Sequence, residues 1–353
     1  MSILNKIKKA KLVGRGGACF PVAVKWSAVA KAMADKRYSG KKCYVVCNSA
    51  EGEPGVKKDG YILEHFPEKV VDGIKIAIDF LGAEKGYIYI NKDYYNKYSK
   101  KLISLIGSAP IELFIKPIDS GYIGGEESSI LNAIEGHRLG GASKRVEPRL
   151  RPPFPTSNGL WGCPTLVNNV ETFYNVSLVA SNEYENKRFY TISGDCLHDG
   201  VYSFPDSWTI QKILKDTKNY PNFPFFAQIG GDASGEVLAS SQLKSHVSGA
   251  GSITVYSIIK HKPADLIKKW LTFFINESCG QCVPCREGVY RLVEITRSAD
   301  PDWRLFSDLL DNLSETAFCG LGCAVPVPLK SYVNNVLAKM PAGSKKIICE
   351  RFK

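Results

Sequence analysis

No stretch of this 353-residue chain approaches the roughly 18 uninterrupted apolar residues that a membrane helix needs, so no membrane-spanning helix is expected. The basic N-terminus, Met1 to Lys11, is followed by neither an apolar core nor a small-residue cleavage site. That argues against a secretory signal. Helix-turn-helix and zinc-finger patterns are missing, as are internal repeats and low-complexity tracts. The 46 basic residues outnumber the 35 acidic ones, leaving a net charge of +11, yet the lysines are scattered. Such a surplus suits anionic ligands or an acidic partner, and nucleic acid is not an expected one.

What is present reads as an ordinary globular protein, 44% hydrophobic and 23% charged, long enough for two or three domains. From Cys43 to about Asn132 the pattern alternates. It predicts strands at 43–47, 86–90 and 111–115 and helices at 69–81, 95–106 and 126–134. Val70, Ile74, Ala77, Ile78 and Leu81 fall on one face of the first helix. Such alternation predicts a parallel α/β sheet, whose ligands sit in the crevice at the carboxyl ends of the strands. Gly136–Gly162 is long, irregular and rich in Gly, Pro and Arg, a composition that marks a functional or disordered connection. Short strands at 188–193, 200–204, 225–229 and 252–256, with a helix near 209–215, predict a small mixed domain. Helical patterns at 263–275, 286–297, 303–313 and 328–337 predict a bundle.

Eleven cysteines without a secretory signal do not read as a disulfide framework, because reducing compartments keep thiols free. Cys19, Cys43, Cys47, Cys163, Cys196, Cys323 and Cys349 are scattered, and packing is their default role. The remaining four are patterned. Cys279, Cys282 and Cys285 form C-x-x-C-x-x-C, and Cys319 follows one helical hairpin later. Three thiols at this step can converge on one centre from a single loop and the start of a helix. A fourth from a distant loop closes a Cys₄ set suited to a 4Fe-4S cluster. A helix starting near Arg286 would aim backbone N–H groups at that anionic cluster. Zinc is the alternative, but it favours paired knuckles over a third cysteine at the same step. Cys323 competes with Cys319 for the fourth position.

Gly14-Arg15-Gly16-Gly17 invites comparison with dinucleotide-binding loops. However, no strand precedes it, and Cys19 falls where a third glycine would stand. By itself it reads as a flexible turn. Read with other segments, it means more. Gly14 to Pro21 with Lys25-Trp26, Asn48 to Gly55, Tyr122 to Glu127, Pro148 to Pro155, Gly159 to Gly162 leading to Asn168–Thr172, and Glu277 to Gly288 occur in order over most of the chain. Together they resemble the motifs of the NADH-binding, flavin-carrying subunit of respiratory complex I and the related diaphorase subunits of soluble hydrogenases and formate dehydrogenases.

The resemblance implies a Rossmann-like α/β domain over 1–180, a β-grasp domain over 181–260 and a helical bundle over 261–353 that carries one 4Fe-4S cluster. It implies flavin mononucleotide (FMN) held by Gly14, Gly16, Lys25, Asn48, Glu51, Gly125, Glu126, Asn168, Asn169 and Thr172. Phe20, Glu53, Glu127, Arg151 and Phe154 would line the NADH site, with Glu127 close enough to the flavin to tune its potential. Cys279, Cys282, Cys285 and Cys319 would ligate the cluster. The implied activity is an NADH dehydrogenase-type oxidoreductase that passes electrons from NADH through FMN and the cluster to a partner subunit, or the reverse. That partner would be an iron–sulfur, hydrogenase or dehydrogenase subunit of a larger complex, in the cytoplasm or at the cytoplasmic face of a membrane.

Departures from the family pattern keep two other readings open. Ala50 stands where the family has an aspartate facing the flavin, and Ala28 where a second aromatic stacks on adenine. These motivate a relay subunit that keeps the cluster alone. Arg151 in place of lysine motivates NADPH as the donor. Trp161 reads as a packing residue, Asn168-Asn169 taken alone as a turn, and Glu126-Glu127 taken alone as a helix cap.

Overall fold

The computed structural model describes residues 1–35, 40, 42–136 and 158–339. Helices α1 (Ile3–Lys9) and α2 (Val22–Ala34) precede a parallel sheet of β1 (Tyr44–Ser49), β2 (Lys85–Ile90), β3 (Ile111–Ile115) and β4 (Thr165–Asn169). The strand order is β3-β2-β1-β4. Helices α3 (Lys58–His65) and α4 (Pro67–Leu81) connect β1 to β2, and α5 (Lys92–Ile106) connects β2 to β3. Helix α6 (Glu127–Ile134) lies between β3 and β4 in sequence, and α7 (Val170–Ser181) follows β4.

Both faces of this sheet are buried, as a parallel sheet requires. Val45, Cys47 and Ile88 pack with Ile74 of α4 and Phe173 of α7 on one face. Tyr44, Val46 and Tyr89 pack with Ile130 and Leu131 of α6 on the other. Helix α4 buries the predicted stripe, with Pro67 in its first turn and Gly82 (φ +59) closing its C-terminus in the left-handed region. It crosses α7 so closely that a Cβ on Gly73 would overlap the Phe173 carbonyl.

The chain then builds a second sheet from β5 (Lys187–Gly194), β6 (Gly200–Pro205), β7 (Phe225–Ile229), β8 (Glu236–Ala239) and β9 (Ser252–Ser257), with α8 (Ile210–Asp216) packed on it. Its order is β6-β5-β9-β7-β8, and only β5 and β9 run parallel. This is the β-grasp arrangement that the resemblance implied. Five α-helices follow, α9 (Pro263–Glu277), α10 (Val283–Arg297), α11 (Trp303–Thr316), α12 (Gly320–Ala324) and α13 (Pro326–Asn335), with a 3₁₀ turn at Leu337–Lys339. Their core is aromatic and aliphatic, with Trp270, Phe274, Leu292, Phe306 and Tyr332 all but inaccessible. No described helix is long and apolar enough to cross a membrane.

Several elements had no counterpart in the predicted pattern: α1, α2, α3, β4, α7, β8 and α12. Strand β4 matters most. Asn168-Asn169 is not a free-standing turn but the end of a strand paired parallel to β1, with Cys47 opposite Asn168 and Asn48 opposite Asn169. Helix α10 starts at Val283, three residues ahead of the position expected.

Candidate functional site

Between β1 and β4 the sheet reverses its direction of growth, because β2 and β3 lie on one side of β1 and β4 on the other. Such a switch point opens a crevice at the carboxyl ends of the strands. A cleft of about 1230 Å³ opens here, above the roughly 300–1,000 Å³ of an ordinary small-molecule pocket. Its walls come from the sheet, the loop after α1, the second sheet and helices α12 and α13.

The glycine-rich loop forms one wall. A helix, not a strand, precedes it. The Gly14 N–H donates to the Phe20 carbonyl (2.8 Å), and Val13 pairs with Pro21, so residues 14–20 form a closed loop that delivers the chain into α2. The Arg15 N–H donates to Thr172 Oγ1 (3.0 Å), which fixes the loop to α7. The Arg15 guanidinium is buried and pairs with Asp206 (3.1 Å) beyond β6. Gly16 lies against Asn169, where an added Cβ would sit 3.3 Å from the asparagine Cβ. Cys19 adopts φ +50, a left-handed conformation that glycine takes without strain.

The strand ends supply amides. Asn48 Nδ2 donates to the Gly125 carbonyl (2.9 Å), and Asn48 Oδ1 accepts from the Ala50 N–H (3.1 Å). The Asn168 side chain, in the amide orientation that satisfies both its ends, accepts from Trp26 Nε1 (2.9 Å) and donates to the Val167 carbonyl (3.0 Å). Asn169 Oδ1 accepts from the Glu171 N–H (3.0 Å) and so caps α7.

Beneath these amides lies a buried charge cluster. Lys58 is inaccessible and pairs with Asp59 (2.5 Å) and Glu171 (3.2 Å), while also donating to Asn169 Oδ1 (3.1 Å). Asn169 Nδ2 donates to the far oxygen of Asp59 (2.6 Å). Glu51 accepts from the Asp59 N–H (3.0 Å), the Gly60 N–H (3.3 Å) and the Tyr94 hydroxyl (2.6 Å). Burial, followed by the charge of Asp59, pushes the Glu51 carboxyl up to about 7.

The acidic pair of α6 divides its roles. Glu126 is the N-cap, accepting from the Ser128 (2.9 Å) and Ser129 (3.1 Å) N–H groups. Glu127 pairs with Lys25 of α2 (2.7 Å). Glu53 reaches across to the second sheet, where its carboxylate accepts from the Ala233 N–H (3.1 Å), the Ser234 N–H (3.0 Å) and the Ser234 hydroxyl (2.8 Å). Phe20 lines the mouth of the cleft.

Every predicted cleft residue within the described chain therefore meets in one space, including Gly125, Glu126 and Thr172. Arg151 and Phe154 lie outside the described residues. Lys58, Asp59, Arg15, Tyr122 and Ser234 also line the cleft and had no sequence-level assignment. Arg15 and Tyr122 fall within the quoted motifs, and the adjacent Lys58-Asp59 pair is a lysine and an aspartate that must be partnered once buried. Trp161 packs edge-on against Tyr44 at 4.9 Å, yet remains half exposed.

Cys279, Cys282 and Cys285 follow α9. Cys282 is the N-cap of α10, and Cys285 lies in its first turn beside Ser278 Oγ (3.4 Å). Cys319 is the N-cap of α12. Burial pushes the Cys319 thiol up to about 12. Gly322 is held near Cys285, where a Cβ would lie 3.7 Å from the sulfur. Arg286 closes the loop by donating to the Gly280 carbonyl (3.0 Å). Among the described residues no three His, Cys, Asp or Glu side chains gather as a site for a single metal ion. Thiols at or just ahead of two helix N-termini have the chemistry that suits an anionic iron–sulfur cluster. Cys323 lies one turn beyond Cys319, lines the cleft, and donates weakly to the Ala317 carbonyl (3.6 Å).

Comparison with known proteins matches residues 7–178 to the Nuo51 FMN-binding domain and residues 265–341 to the NADH-ubiquinone oxidoreductase-F iron-sulfur binding region. The NADH-quinone oxidoreductase F subunit of Aquifex aeolicus is 30% identical over 375 residues, spanning 91% of this chain and 80% of that protein. Its Escherichia coli counterpart is 30% identical over 389 residues, spanning 98% and 84%. Among solved structures, an NAD⁺-reducing NiFe-hydrogenase in its air-oxidised state superposes with a TM-score of 0.81 at 25% identity. The match covers 99% of this chain but only 65% of the hydrogenase chain.

Proposed function

Because this chain belongs to the family of NADH-quinone oxidoreductase F subunits, we propose that it carries electrons between NADH and a partner subunit through FMN and a 4Fe-4S cluster. One observation supports this most directly. The cleft reaches the four-cysteine site, because Gly320, Leu321 and Cys323, next to Cys319 in the chain, line it together with Gly125 and Glu126.

Within that reading each residue has a task. Gly14, Gly16 and Gly125 let the backbone approach a flat ring and a phosphate. Asn48, Asn168 and Asn169 present strand-end amides, Thr172 a hydroxyl, and Lys25 an ammonium, while Glu51 and Glu126 border the same space. Phe20 and Glu53 face the expected nicotinamide nucleotide, and Arg151 and Phe154 are assigned there by motif alone. Glu127, held by Lys25, borders the same cleft and would tune the flavin there. FMN, when bound, exchanges two electrons with NADH and one at a time with the cluster. Cys279, Cys282, Cys285 and Cys319 would hold that cluster at the helical end of the cleft. The three units of 1–180, 181–260 and 261–353 and a place in the cytoplasm, or at the cytoplasmic face of a membrane complex, belong to the same proposal.

The test is an anaerobic absorbance spectrum with flavin and iron assayed, before and after adding NADH. Flavin, four irons per chain as the cluster type requires, and a flavin band that bleaches on NADH are the expected results. Iron without flavin after reconstitution would leave only a relay subunit.

A further inference from the structure

The cysteine loop and the cleft are joined through one carboxylate. Glu277 is the last residue of α9, immediately before Ser278-Cys279. It accepts the backbone N–H of Tyr122 at 2.5 Å. Gly121 adopts φ +52, and a Cβ there would overlap the Glu277 carboxylate. The closeness of this contact therefore depends on glycine for both conformation and space. Lys116 occupies the same corner, with its stem beneath Gly124 and its ammonium within the field of Glu277.

What the carboxylate grips is the turn that shapes the cleft. Tyr122 begins the 3₁₀ turn Tyr122–Gly125. That turn ends at the carbonyl held by Asn48 and leads into Glu126 and Glu127. The Tyr122 ring packs edge-on against Phe273 of α9 (5.4 Å), and Tyr122 lines the cleft together with Glu53. One side chain thus spans from the cysteine loop to the cleft turn.

We propose that Glu277 is a positioning residue: it sets the spacing between the cluster loop and the flavin-facing turn, and so the rate at which electrons cross between them. The inference rests on the function proposed above. Electron transfer falls steeply with distance, whereas hydride transfer within the cleft does not involve the cysteine loop.

Three variants test it: Glu277→Ala, Glu277→Gln and Gly121→Ala, the last forcing the same contact apart from the other side. Each is assayed for flavin and iron, then mixed rapidly with NADH while flavin and cluster absorbance are followed separately. Flavin reduction should keep the wild-type rate, while cluster reduction slows several-fold in both alanine variants, because electron transfer weakens with every ångström of added separation. Glu277→Gln, which keeps an acceptor oxygen, should restore most of the rate. In the cofactor-free chain, the Tyr122 amide should exchange with deuterium faster in Glu277→Ala than in wild type. Wild-type cluster reduction in Glu277→Ala, equal slowing of both steps, or unchanged Tyr122 exchange would each overturn the proposal. Wild-type protein that takes up neither flavin nor iron would instead refute the function proposed above, and amide exchange would still judge the contact.

Discussion

Lys25 of α2 and Glu127 of α6 meet at 2.7 Å on the edge of the cleft, each side chain about one-fifth exposed (18% and 20%). An ammonium carries three donors, and one of them is directed to Glu127. Replacing Lys25 with Met should weaken FMN retention about ten- to a hundredfold, the scale of one charged hydrogen bond. Calorimetric titration of the cofactor-free chain with FMN measures this. Unchanged affinity would mean that Lys25 serves only to orient Glu127.

Lys58 is the cation on which Asp59 and Glu171 both rely. Lys58→Met would leave buried carboxylates unpaired, which costs about 3–5 kcal/mol. The urea midpoint of the cofactor-free chain should fall accordingly. Adding Asp59→Asn should recover part of the loss, because it removes one of the stranded charges.

Glu51 makes stability depend on pH. Its carboxyl is pushed up to about 7, chiefly by burial, so the folded chain holds the proton more tightly than the unfolded chain does. A raised folded-state pKa contributes stability at low pH that is lost as pH rises through the folded value. The melting temperature of wild type should therefore fall relative to Glu51→Gln between about pH 5 and pH 8. Parallel curves for the two proteins across that range would contradict it.

Cys319 and Cys323 stand one turn apart, and α12 presents Cys319 as its N-cap while Cys323 lines the cleft. Serine at 279, 282, 285 or 319 should abolish the 4Fe-4S spectrum and most bound iron, whereas Cys323→Ser should keep both. Iron analysis and electron paramagnetic resonance of the reduced protein check this. Loss of the cluster in Cys323→Ser alone would reverse the assignment of the fourth ligand.

Much of the fold was readable because its signals are local. The buried stripe of α4, the Pro-started helix α9, and the strands β2, β3 and β7 declare themselves by periodicity and by start and stop residues. Strand β4 did not, because Thr165–Asn169 is a five-residue edge strand ending in two asparagines, a composition that also suits a turn. Helix α7 was hidden because it follows β4 with no intervening loop, its only start signal being the Asn169 cap.

The chemistry of the cluster site is written in the chain itself, since the C-x-x-C-x-x-C step places three thiols on one loop and helix start through covalent spacing alone. The cleft residues are legible there too, through motifs whose order along the chain survives any folding. What those residues do to one another was set by tertiary packing. Asn48 faces Asn169 only because β1 and β4 pair in that register. Lys58 becomes a buried counter-ion only because α3 is brought against α7 and Glu171. The grip of Glu277 on Tyr122 joins residues 155 positions apart. Such long-range contacts arise from packing, and no local pattern encodes them.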